Sequence, residues 1–181
     1  MLKWLIRWRI SAFEADLGYD ASYLRDLLDR DVGAFLRFAR VSGLSDYRKD
    51  VPAAACYAAK ITGALREDCG PCTQLLVTMA LRDGVAEETL RAVLTGDEQR
   101  MGEDARLGFA FARATLDHAP EADALRHEVE RRWGPRAIIS LAFAVVSSRL
   151  FPTLKYALGH GRACQRVLVS NEPVQVARLS A

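Results

Sequence analysis

Cysteine is scarce in this chain, with four in 181 residues. A small secreted scaffold held by disulfides would be shorter and denser in cysteine. The count therefore points to a cytoplasmic protein carrying a catalytic or redox pair. Charge of one sign is lacking as well. The 25 Lys and Arg against 23 Asp and Glu leave a formal charge of +2, too little to argue for a nucleic-acid partner. Long apolar runs are missing. The longest is residues 137–146, with Ser140 inside it, whereas a bilayer needs about 20 residues. A buried core helix is the expectation, and a membrane partner is not. Arg7 and Arg9 interrupt the apolar start of the chain, so no export signal is expected. No second Cys or His pair stands at the spacing a four-ligand zinc site requires. Neither metal nor cofactor is expected.

Strand periodicity is the last absence. No alternating run reaches strand length, and residues 167–169 are too short to argue from. Helical periodicity is there instead. Leu24, Leu27, Leu28, Val32, Phe35, Leu36 and Ala39 mark one face of a helix that Asp20 would cap and Gly43 would stop. Asp50 and Pro52 open a second helix that reaches about residue 65. A third spans 70–82 and ends at Asp83-Gly84. A short one over 87–94 is closed by Gly96. Leu107, Ala110, Phe111 and Ala114 form the stripe of the next, and Pro120 stands where another begins. Gly134-Pro135 precedes a long, nearly all-apolar helix from 136 to about 158, with His160 between Gly159 and Gly161. The fold class is all-α with short connections. An N-terminal helical arm, 1–45, precedes a helical core, 46–181.

One segment points at a chemistry. Cys69-Gly70-Pro71-Cys72 sets two thiols at the spacing of a small disulfide that can close and reopen. Glu67 and Asp68 precede it, and Thr73-Gln74-Leu75-Leu76-Val77 begins a helical pattern after it. Cys69 would sit at the helix N-cap with Pro71 in the first turn, where its missing N–H costs nothing. The positive end of the helix dipole favours a thiolate there, while the two carboxylates oppose one. Cys56 and Cys164 are isolated in sequence and are expected as packed small residues. His118 and His160 fall at helix C-termini, where a cation is favoured. These two and His127 are expected in surface or capping roles. Trp4 and Trp8, four apart beside Lys3 and Arg7, make an amphipathic start. Its aromatic side is expected to pack on the core or on another subunit.

The order of features from Asp50 to about Arg166 resembles the carboxymuconolactone decarboxylase and alkylhydroperoxidase D-like family. A helix ends near an acid, a Cys-x-x-Cys opens the next, and a short helix follows. A longer helix carries small residues and Phe, here Asp104 through Ala112. Then come Arg132-Trp133-Gly134 and a final apolar helix with Ser147-Ser148-Arg149. The resemblance implies an alkylhydroperoxidase D-like helical bundle, a homo-oligomer, and an oxidoreductase acting on a peroxide or disulfide. Cys69 and Cys72 would do the chemistry, with a lipoamide- or thioredoxin-like reductant. The thiol peroxidases of that family place a Glu twelve residues before the first Cys and a His four after the second. A further His can precede the second Cys. Tyr57, Leu76 and Pro71 stand at those positions, so the usual proton relay is absent and Glu67 is the nearest candidate proton donor. The alternatives are a lyase of that family that does not use the thiols, and a non-catalytic helical assembly protein.

Overall fold

The computed structural model describes residues 1–161 and 166–177. Among these the fold is all-α apart from one hairpin. The helices are α1 (Leu2–Leu17), α2 (Ser22–Arg30), α3 (Val32–Asp46), α4 (Ala53–Arg66), α5 (Gly70–Arg82), α6 (Glu87–Thr95), α7 (Glu103–Asp117), α8 (Ala122–Trp133) and α9 (Pro135–Ala157). The strands β1 (Arg166–Val169) and β2 (Glu172–Gln175) close the described chain.

The packing radiates from α4. All its residues from Ala55 to Leu65 are buried, as expected for a helix with neighbours on every side. Its sequence is rich in Ala and has Gly63 near its end, and this lets those neighbours come close. A Cβ at Gly108 of α7 would lie 2.7 Å from the Ala55 carbonyl carbon, and one at Gly63 would lie 3.1 Å from Ser148 Cβ on α9. Two apolar layers meet on α4. One joins Tyr57 and Ile61 to Val77, Leu90, Leu94 and Phe109. The other joins Cys56 and Ala59 to Phe111, Val129, Leu141 and Val145. A third cluster, Ile10, Tyr19, Tyr23, Leu28 and Phe35, gathers α1–α3 around Leu75, Leu154 and Leu158.

Two expectations change. The single helix expected between Asp20 and Gly43 is two. Asp31 is extended at φ −154° and its carboxylate accepts the Ala34 N–H at 3.1 Å. A capping aspartate thus starts α3 in the middle of an unbroken apolar pattern, and α3 runs through Gly43 to Asp46. The segment left unread at 167–169 is a strand. It pairs antiparallel with β2 across Ser170 and Asn171, both at positive φ (48° and 68°), the backbone a two-residue hairpin turn demands. Val167 and Val169 point into the core, and the Gln74 side chain bonds Leu168 in both directions, at 3.0 and 2.7 Å. The apolar decad lies in the long helix expected there, α9, and an 18-residue window of it, with mean hydropathy 1.7, meets the length and composition of a membrane span. It packs against α3, α4 and α8, leaving Ile139 and Val146 exposed.

Adding one methyl group tests the close approach. Gly108→Ala should destabilise the fold by about 1–3 kcal/mol, the usual cost of overpacking. Gly43→Ala, on an exposed helical turn with open space, should be neutral or stabilising by up to about 1 kcal/mol. Urea midpoints of the two variants measure both, and equal midpoints would show that α4 and α7 are not in tight contact.

Candidate functional site

The link from α4 to α5 is two residues long before the first thiol. Glu67 caps α4 and Asp68 turns the chain at φ 48°. Cys69 is then extended (φ −103°, ψ 94°) as the N-cap of α5, with Pro71 in the first turn. Its N–H donates to the Ala64 carbonyl at 3.3 Å, and its carbonyl accepts the Thr73 N–H and hydroxyl at 2.9 and 3.0 Å. That backbone is fully engaged, so the position of the thiol is fixed from both helices. The two sulfurs lie at disulfide distance, with their Cα atoms 5.3 Å apart. Cys69 is 0% exposed and Cys72 6%. Ala64 and Leu76 pack over them.

The structure brings Cys69 and Cys72 together and directs Glu67 elsewhere. One Glu67 oxygen accepts from Arg149 Nε at 2.5 Å and the other from the Thr153 hydroxyl at 3.1 Å. Both oxygens are thus committed to α9. Tyr156 on the same helix donates its hydroxyl to the Asp68 carbonyl at 2.8 Å. So α9 clamps the thiol loop through three side chains. Tyr57 donates to Asp83 at 3.0 Å, and Arg48 holds the same oxygen at 2.8 Å. Burial, with Asp83 beside it, raises the Tyr57 phenol well above its ordinary value, so it is no base. His160 contacts Ser22 at 3.2 Å and Asp26 at 3.4 Å, His118 caps α7 in the left-handed region, and His127 lies beside Arg126. Cys56 is buried and reduced, its thiol raised chiefly by burial. Cys164 lies outside the described residues.

Two residues that sequence reasoning missed stand beside the pair. Tyr19, in the turn from α1 to α2, places its hydroxyl 4.0 Å from Cys72 Sγ. Lys155 of α9 donates to that hydroxyl at 3.2 Å. Lys155 carried a signal in retrospect, as the one lysine of an apolar helix. Tyr19 carried none. Along the opposite side of Arg149 runs an apolar groove of about 650 Å³ between α3, α7 and α9, with Phe38, Leu116, Val146 and Leu150 among its walls. Neither sulfur lines it. Among the described residues no three His, Cys, Asp or Glu side chains gather at metal-binding spacing. No family model matches this sequence, and comparison with curated proteins and with solved structures finds no match.

Burial ranks the thiols. After reduction of the native protein, an alkylating agent should label Cys72 before the other two described thiols, and Cys56 only once the chain is unfolded. Mass spectrometry of the labelled peptides reads the order, and early labelling of Cys56 would contradict the packing described.

Proposed function

We propose that this chain is a thiol-dependent oxidoreductase of the alkylhydroperoxidase D-like type, cycling Cys69 and Cys72 between dithiol and disulfide. The observation that carries the reading is the sulfur pair at disulfide distance on the first turn of α5. Cys72, the less buried of the two residues (6% against 0% exposed), attacks as the thiolate. With a peroxide, a sulfur–oxygen bond forms and the O–O bond breaks, and the departing alkoxide takes up a proton as an alcohol. The Cys69 thiol then attacks the sulfenic sulfur, the disulfide forms, and the oxygen leaves as water. With a disulfide substrate, exchange through a mixed disulfide reaches the same oxidised pair. A small dithiol or a thioredoxin-like protein returns the pair by two exchange steps and is itself oxidised. Such cycling suits the reducing cytoplasm.

Thiol counting tests this directly. Mild oxidant should remove two free thiols from the reduced wild type and none from Cys72→Ser. If the wild type keeps all four thiols under conditions that oxidise a control dithiol, the redox reading fails.

Assembly is the second part of the proposal. Trp4 and Trp8 are 72% and 60% exposed, so the aromatic side of α1 does not pack on this chain's own core. Ile139 and Val146 add apolar surface on α9. Exposed aromatics of this kind anchor interfaces, which supports a homo-oligomer with α1 in the contact. The same surface is the one observation favouring the second reading, a helical assembly protein without catalysis. Sedimentation at micromolar concentration should give a species larger than 20.1 kDa, and Trp4→Ser with Trp8→Ser should reduce it. A 20.1 kDa species for the unmodified chain would sink the assembly proposal.

A further inference from the structure

Lys155 is 2% exposed, on a helix whose other buried residues are apolar or small. A cation in such a place is costly unless its surroundings are built for it. They are. Nζ donates to the Tyr19 hydroxyl oxygen at 3.2 Å and to the Asp20 carbonyl at 3.4 Å. It also lies 4.6 Å from the centre of the Tyr19 ring and 5.2 Å from that of Tyr23. A phenol oxygen, a carbonyl and two π faces all present negative potential. The Tyr19 hydroxyl that accepts from Lys155 still has its own proton to give, and Cys72 Sγ is 4.0 Å away. Burial, with Tyr23 next to it, raises the Tyr19 phenol far above its ordinary range, and burial pushes Tyr23 up to about 12. Both stay neutral.

We infer that Lys155, acting through the Tyr19 hydroxyl, holds Cys72 as a thiolate when the pair is reduced. This deepens the thiol reading and rests on it. The ionising proton of Cys72 goes to solvent. The Tyr19 O–H donates to the thiolate, and Lys155 polarises that bond and supplies the positive charge. Tyr19 and Lys155 are positioning residues for the nucleophile. They occupy the role left open by Tyr57 and Leu76, from different elements of the fold.

The charges around Cys72 fall on both sides. The N-terminus of α5 favours the thiolate. Any carboxylate close to the pair opposes it. Among the described residues, Glu67 is paired with Arg149, Glu14 with Arg25, Asp16 with Arg82 and Asp26 with Arg30. Residues 167–169 of β1, which packs on α5, are apolar. Burial itself raises the thiol. Among the described residues, Lys155 is a cation that reaches the Tyr19 hydroxyl beside Cys72.

The test is the pH profile of iodoacetamide labelling at Cys72, read by mass spectrometry in the reduced Cys69→Ser chain. Half-maximal labelling should fall at least about one unit below the ordinary thiol value near 8.5. Lys155→Met, which fills the same space without charge, should move the midpoint up by about one unit or more, a roughly tenfold loss of labelling rate at neutral pH. Tyr19→Phe, which keeps the ring and removes only the hydroxyl, should move it in the same direction. Circular dichroism checks that each variant folds, and if Lys155→Met does not, Tyr19→Phe decides alone. An unchanged profile in the folded variants overturns the inference. Wild-type disulfide cycling, counted separately, stands or falls on its own: cycling with an unshifted profile removes the relay and leaves the redox reading.

Discussion

Everything in this fold depends on α4 being narrow. A helix buried on all sides has to be approached closely, and large side chains would hold its neighbours away. The Ala-rich surface of α4 contributes little apolar area per residue. What it gains is contact density, because α7 reaches its backbone at Gly108 and α9 reaches Gly63. That closeness fixes the end of α4 against the middle of α9. The thiol loop leaves from that end, and α9 holds it through Arg149, Thr153 and Tyr156. The geometry of the cysteine pair is therefore a result of helix packing as much as of its own four residues.

Local chemistry explains what could be read from the residues and what could not. Helix ends written in Gly and Pro were legible: Asp83-Gly84, Gly96 and Gly134-Pro135 stop or start helices as expected, because those residues act on their own backbone. Asp31 was not, since an aspartate inside an apolar periodic pattern signals a cap only if the chain bends there. The hairpin escaped for a related reason. Its strands are four residues each, and they hold their place through Gln74 and Arg91 on distant helices. The all-α class survives because the hairpin is an addition to the helical core.

The site divides the same way. The Cys-x-x-Cys pair and its helix-start placement are local and were read correctly. The acid nearest in sequence, Glu67, proves to be occupied with Arg149. Adjacency along the chain says where a residue can be, and the turn at Asp68 decides where its side chain goes. Tyr19 and Lys155 come to Cys72 from opposite ends of the chain, and no periodicity reports such a meeting. A lone lysine in an apolar helix is the one mark that such encounters leave. Buried charges are kept only where something compensates them.

Tyr19 and Lys155 are 136 positions apart. During synthesis the tyrosine leaves the ribosome early, the cysteines follow, and the lysine comes late. A chain halted anywhere between residues 73 and 154 carries both thiols and Tyr19 without the lysine that bonds Tyr19. The complete arrangement around Cys72 thus exists only after α9 has been made and has closed onto α1–α3. In this protein the surroundings of one thiol are settled only when its ninth helix has been made.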